Sequence, residues 1–235
     1  MIIESLELKN YRNYDSLEIK FDEGKNILYG DNAQGKTNIL EALYLCSTSK
    51  SHRGSKDREI IQFDKDESHI KLMLRKNDVP YRIDMHLKKS KSKGIAINGI
   101  PIKKSSELLG INNIIFFSPE DLAIIKNGPS ERRKFIDMEL CQIDKIYLND
   151  LLKYNKIINQ RNCLLKELNF NYNKSLYETL DIWDIKLSEY GNKIIKRREE
   201  FINQINEIII NIHHRLSGGK ESLYVKYEPN VISEK

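Results

Sequence analysis

Apolar and polar residues alternate at the start of the chain. In IIESLELK, Ile2, Leu6 and Leu8 mark one face, and in SLEIKF Leu17, Ile19 and Phe21 do the same. This two-residue period predicts half-buried strands. A short apolar run, NILY (26–29), reads as a third strand leading straight into Gly30. The spacing then changes. In TNILEALYLC, Ile39, Leu40, Leu43 and Leu45 recur at near-helical intervals and predict an amphipathic helix. Alternation returns in HIKLMLRK and YRIDMHL on either side of NDVP, and again in GIAINGIPI. There Asn98-Gly99 predicts a tight hairpin, because both residues accept the positive φ of a type I′ turn. Asn112 to Ser118 reads as a short buried strand.

At Pro119 the pattern becomes helical. Pro129 suits the first turn of a helix, and a longer helical segment is expected from about Asp144 to Leu168. Leu176, Leu180, Trp183, Leu187, Tyr190, Ile194, Phe201, Ile205, Ile208 and Ile212 then fall at intervals of three, four and one seven. They predict one long helix with a single apolar stripe. Two long helices about the loop NFNYN imply an antiparallel helical hairpin. SLYVKYEP alternates again and predicts a returning strand. The expected organisation is an incomplete first lobe over 1–118 with a β-rich subdomain and the Asn98-Gly99 hairpin, a helical lobe over 119–217, and a returning strand within 218–235.

With 235 residues, 40% of them hydrophobic, the chain can bury a real core. Its apolar runs are only a few residues long, far short of the ~20 needed to cross a bilayer. The start has an acid at Glu4 and no apolar h-region, so neither a secretory signal nor a membrane partner is expected. Cys46, Cys141 and Cys163 stand far apart without a CxxC pair, which argues against a disulfide framework or zinc cluster and fits a cytoplasmic location. The net charge of +5 is mild support for an anionic partner.

GDNAQGKT, residues Gly30, Asp31, Asn32, Ala33, Gln34, Gly35, Lys36 and Thr37, fits G-x-x-x-x-G-K-[ST] in full. The two glycines let the backbone turn tightly, so that successive N–H groups form an anion nest. Lys36 would reach the outer phosphates of ATP, and Thr37 would offer a hydroxyl to Mg²⁺. The following helix would direct its positive end at the phosphates. Hydrolysis also needs an acidic residue beside the metal. No apolar run ending in Asp or Asp-Glu supplies one; IIQFDKDE comes nearest but is interrupted at Gln62. No catalytic residue is therefore assigned, and the chain is expected to bind nucleotide without hydrolysing it alone.

These residues resemble the RecF family. LKNYRNYDSLEIKFDEGKNILYGDNAQGKTNILEALYL, SKSHRGSKDREII, FFSPEDLAIIKNGPSERRKFID and LSGGKESLYVKYEP are similar to RecF segments in the same order, over essentially the whole chain. The resemblance implies an α/β fold of the ABC/SMC-like P-loop ATPase type: a mixed sheet with an antiparallel β subdomain and a coiled-coil-like helical insertion. It implies ATP binding with Mg²⁺, ATP-dependent homodimerisation of the full-length protein, and binding to DNA, double-stranded and at single-strand/double-strand junctions. It also implies RecO and RecR as partners and a role in recombinational repair. Carried over by position, Arg12 and Arg53 would approach the nucleotide, with Asn38 following the loop. SPEDL would occupy the place of the Q-loop. No glutamine stands there, which leaves Glu120 or Asp121 as the candidate Mg²⁺ or water ligand. RecF chains are longer than this one, so it looks like an amino-terminal portion or one half of a split protein.

LSGGK (216–220) nearly spells an ABC signature peptide. It follows a helix and leads into an alternating segment, so Gly218-Gly219 is read as a helix C-cap turn instead. Lys88, Lys89, Lys91, Lys93, Lys103 and Lys104 lie in a stretch without an acid from Met85 to Ser106. They could neutralise DNA phosphates on a hairpin about Asn98-Gly99, or simply protect a solvated sheet edge. The alternative function is a stand-alone P-loop kinase of a small molecule. Its basic lid would be Arg132 to Lys134, but the β-rich stretch 60–118 is foreign to compact kinases.

Overall fold

The computed structural model describes residues 1–171 and 173–231, without the side chains of Glu120 and Ala123. The expected terminal segment 218–235 thus passes out of the described residues at 232. The chain divides into two compact units, Met1–Leu122 and Ala123–Lys235.

The first unit is built on a six-stranded sheet in the order β2-β1-β3-β4-β5-β6. Its strands are β1 (Ile2–Tyr11), β2 (Tyr14–Lys20), β3 (Glu67–Lys76), β4 (Val79–Lys88), β5 (Gly94–Ile97) and β6 (Ile100–Pro101). Every described pairing is antiparallel. Helix α1 (Lys36–Thr48) covers one face, and a single turn of helix, α2 (Asp57–Ile60), lies between them in sequence. The alternation read from the sequence sorts as expected. Leu6, Leu8, Ile70, Leu72, Leu74, Ile83, Met85 and Leu87 are buried with Ile39, Ala42, Leu43, Leu45 and Cys46 of α1. Leu40 was expected on this face of α1, yet it is 41% exposed.

Two hairpin turns follow directly from residue chemistry. Asn98 and Gly99 both hold positive φ, at 52° and 81°. Asn77 and Asp78 do the same, at 50° and 63°, between paired Lys76 and Val79. NDVP is therefore a two-residue turn, and Pro80 already belongs to β4.

Three expected strands do not form. Residues 26–29, 112–118 and 221–229 carry no regular structure and join no ladder. Ile27, Tyr29, Ile115 and Phe117 are all more than four-fifths exposed. The expected mixed sheet is accordingly antiparallel throughout the described residues. A strand requires a ladder partner as well as an apolar pattern, and none of the described strands pairs with these segments.

The second unit is helical: α3 (Ala123–Lys126), α4 (Pro129–Ile143), α5 (Lys145–Phe170), α6 (Lys174–Glu178) and α7 (Leu180–Leu216). Pro129 opens α4 as expected. Asp144 caps α5, its Oδ1 accepting from the N–H groups of Ile146 and Tyr147. Helices α5 and α7 form the antiparallel hairpin. Arg161 bonds Asp184, while at the other end Arg197 bonds Asp144 at 2.7 Å. Arg198 meets both Asp137 and the Tyr147 hydroxyl.

The stripe of α7 holds through Ile194 and then shifts. Ile202 and Asn206 are buried, whereas Ile208 and Ile212 are 62% and 42% exposed. A straight helix of 3.6 residues per turn returns to one face near 202, 206 and 209, and the seven-residue gap had misplaced that face. The helix ends in the expected turn. Gly218 and Gly219 have φ of 62° and 78°, and Gly219 N–H bonds His214 O at 2.8 Å. The segment after it is held by Asn206. Its Nδ2 donates to Val225 O at 2.7 Å, and its Oδ1 accepts from Val225 N–H at 2.9 Å. One side-chain amide here takes the place of a strand partner.

Candidate nucleotide-binding site

Gly30, Ala33 and Gly35 hold φ of 138°, 65° and 97°, and with these turns the loop bends back on itself. Gly35 has no substitute: a Cβ there would lie 2.5 Å from Tyr14 Oη and 2.7 Å from Asn13 Oδ1. Helix α1 begins at the next residue with Gly35 at its N-cap, and no side chain caps it. The free N–H groups of a first helical turn carry partial positive charge and favour an anion. Lys36 folds back over the loop, its Nζ donating to Gly30 O at 2.8 Å and Asp31 O at 2.5 Å. Thr37 is exposed in the first turn, and Asp31, Asn32, Ala33 and Gln34 are exposed beside it. Backbone N–H groups, an ammonium and a hydroxyl make a donor set suited to a polyphosphate and its magnesium.

The β1–β2 hairpin braces this loop. Arg12 stands in its turn with φ of 52°, a conformation that costs a non-glycine residue energy. Tyr14 Oη donates to Gln34 O at 3.2 Å, and Asn38 Nδ2 donates to Asn13 Oδ1 at 2.8 Å. Arg12 reaches inward. Its Nε and Nη2 grip Glu41 at 2.8 and 2.6 Å, Nη2 also bonds Ser55 Oγ at 2.9 Å, and Nη1 bonds Glu59 O at 2.7 Å. Four of the five guanidinium protons are thereby engaged within the chain.

Glu41 is fully buried on α1 and also accepts from Ser51 Oγ. Burial alone would raise its carboxyl. The bonds from Arg12 and Ser51, with the charges of Arg12 and Arg53, outweigh this and hold it below the usual carboxylate range. Glu41 stands out in the sequence with Asn38 after the loop, but sequence alone assigns it no role in the site. Arg53 is freer. Its Nη1 donates to Asn38 Oδ1 at 3.1 Å, and it lines an open cavity of about 600 Å³ with Arg12, Asn13, Asn38 and Phe63. Arg12, Asn38 and Arg53 therefore converge at one side of the loop.

Of the Q-loop-like residues, Asp121 is turned to its own loop. Asp121 accepts from Ser118 N–H at 2.6 Å, closing the turn Pro119–Leu122. The side chain of Glu120 lies outside the described residues. The lysines also differ from expectation in placement. Ile83 pairs with Ile97 and His86 with Gly94, so the Asn98-Gly99 turn sits beside Arg82. Lys88, Lys89, Lys91 and Lys93 occupy the opposite end of β5, and β6 runs back so that Lys103 and Lys104 follow toward that end. Acids absent from the local sequence arrive through the fold. Lys88 faces Glu67 at 3.8 Å, and Lys89 faces Asp66 at 3.9 Å. Lys93 is turned inward, donating to Ser49 O at 2.7 Å and Asp57 Oδ1 at 2.8 Å. Lys91, Lys103 and Lys104 are exposed.

The AAA domain family matches residues 5–217. The DNA replication and repair protein RecF of Lachnospira eligens is 65% identical over 231 residues, covering 98% of this chain and 64% of that protein. RecF of Agathobacter rectalis is 62% identical with 98% and 63% covered. The chain thus spans less than two thirds of the length of these curated relatives. Among solved structures, the recombination mediator protein RecF-ATP in the RecFOR pathway superimposes with a TM-score of 0.87 at 38% identity, covering 92% of this chain and 58% of that one. The likeness is in sequence and in fold together, and the chain belongs to the AAA domain family, among its RecF proteins.

Proposed function

We propose that the chain binds ATP at Gly30–Thr37 and uses it to control attachment to DNA during recombinational repair. Lys36 would hold the outer phosphates, Thr37 the Mg²⁺, and the N–H groups from Asp31 to Gly35 the remaining oxygens. Arg53 and Asn38 would border the nucleotide, with Arg12 bracing them. In a longer protein the bound nucleotide would join two copies, and the assembly would act in the cytoplasm with RecO and RecR on duplex DNA and single-strand/double-strand junctions. Lys88, Lys89, Lys91, Lys103 and Lys104 are the proposed phosphate contacts, and Lys93 serves the fold. This chain alone would bind nucleotide without turning it over.

The observation that carries this proposal is the uncapped start of α1 behind a loop of left-handed residues, in a chain 65% identical to a RecF protein. The test is calorimetric titration with Mg-ATP beside a mobility assay on gapped duplex DNA. Saturable binding lost with Lys36→Ala, and DNA retention that responds to ATP, are expected. Nucleotide binding without any response to DNA would instead favour a small-molecule kinase. Steady-state hydrolysis that disappears with Lys36→Ala would overturn the assignment of a non-hydrolysing chain.

A further inference from the structure

The solvent face of the sheet carries a cluster that nucleotide chemistry does not use. His69 on β3 and His86 on β4 are directly opposed in register. Their rings stack with centroids 3.9 Å apart and 23° between planes. Glu67 lies two residues before His69 and so on the same face of β3. Its Oε2 stands 2.9 Å from His86 Nε2, and its Oε1 stands 3.7 Å from His69 Nε2. One ligand atom from each of the three residues falls within 4.8 Å of the others. β3 and β4 are central strands, flanked by β1 and β5. His69 is therefore paired with Lys9 on one side and His86 on the other, His86 with His69 and Gly94, and Glu67 with Lys88.

We propose that Glu67, His69 and His86 form a binding site for a first-row transition-metal ion, zinc foremost. Two imidazoles and one carboxylate are the ligand set of a three-residue zinc site, with the fourth position left to water. Tetrahedral ligands at zinc bond lengths stand about 3.3 Å apart, and the 2.9 Å between Glu67 Oε2 and His86 Nε2 is close to that spacing. His69, stacked on His86, brings the third ligand atom within 4.8 Å of the other two. Magnesium and calcium prefer all-oxygen sites, so two imidazoles select against them. Lys88 Nζ, 3.8 Å from Glu67 Oε2, competes for the carboxylate and would swing out to solvent. The ion would join β3 to β4 across the sheet.

The metal-free 235-residue chain is titrated with zinc chloride by calorimetry, and with cobalt chloride by visible absorption, in the absence of nucleotide. One ion per chain is expected, with cobalt d–d bands and no thiolate charge-transfer band. Replacing a ligand should weaken binding at least as much as losing an outer-shell partner, about 10–100-fold. His69→Gln and His86→Gln should each show that loss, while Cys163→Ser leaves affinity unchanged. If either histidine variant melts differently without metal, Glu67→Gln at the start of β3 carries the same comparison. No binding, affinity unchanged in these variants, or a cobalt-thiolate band that depends on Cys163, would each overturn the assignment.

Discussion

Arg12 and Glu41 meet as a two-pronged ion pair across 29 residues of chain, with Nε to Oε2 at 2.8 Å and Nη2 to Oε1 at 2.6 Å. The pair ties the β1–β2 turn to the helix behind the phosphate loop. Removing one partner leaves the other charged and buried, which costs about 3–5 kcal/mol. Arg12→Ala and Glu41→Ala should each lose roughly that stability in urea unfolding. The double variant should lose less than the sum. Additive losses would mean that the two groups act independently.

The same carboxylate sets an acid limit. Its folded pKa lies below the ordinary 4.5, because the Arg12 and Ser51 bonds and the Arg12 and Arg53 charges outweigh the opposing effect of burial. Its contribution is therefore fully present above about pH 4.5 and is lost as pH falls through the folded value. Asp144 behaves alike from 3.8, where the bonds from Arg197, Tyr147 and Ile146 outweigh burial. Stability measured by circular dichroism should fall with acid in this range. Glu41→Gln should be less stable at neutral pH, with a shallower acid slope.

Gly35→Ala should abolish ATP binding measured by calorimetry. The new methyl group meets Tyr14 and Asn13 at under 3 Å, and φ of 97° opposes any side chain. Removing the hydroxyl with Tyr14→Phe in the same chain should not restore binding, because Asn13 and the backbone conformation still exclude alanine. Recovery in the double variant would show that the Tyr14 hydroxyl, and neither Asn13 nor the φ angle, requires glycine.

Charge reversal of Lys88, Lys89 and Lys91 should weaken duplex binding and flatten its salt dependence. Each lost phosphate contact lowers the slope of log K against log salt by about 0.9. Lys93→Ala should instead lower thermal stability, since its ammonium ties Ser49 and Asp57 together. An unchanged salt slope in the triple variant would remove this end of the sheet from the DNA interface.

Asn206→Ala should free the segment around Val225 from α7 and leave its backbone polar groups without their partner. The cost is about 1–3 kcal/mol, and limited proteolysis should cut between Glu221 and Glu228 sooner than in the unaltered chain. Equal cleavage rates would show that other contacts hold the segment.

Much of this architecture is legible locally. The phosphate loop, the Asn98-Gly99 turn, Pro129 at a helix start and the glycine turn after α7 are each specified by a few adjacent residues. What escaped sequence reading depends on distant partners. Asn26 to Tyr29 has the apolar pattern of a strand, but pairing needs a neighbour that the pattern does not encode. The lysines of 88–93 look unopposed in sequence because Asp57, Asp66 and Glu67 come from other elements. Arg198 sits inside the buried stripe of α7, where a charge would not be placed without Asp137 and Tyr147 to receive it. His69 and His86 are seventeen positions apart, and only the register of β3 on β4 brings their rings together.

Lys36 is already partly stripped of water by Gly30 O and Asp31 O. For this ammonium, an arriving phosphate is an exchange of partners, two carbonyl dipoles given up for one full anion. Part of the dehydration that a free lysine would face is completed during folding. The gain on binding therefore depends on how much charge the ligand brings. The loop should discriminate among nucleotides by the anion that reaches Nζ more than by the base they carry.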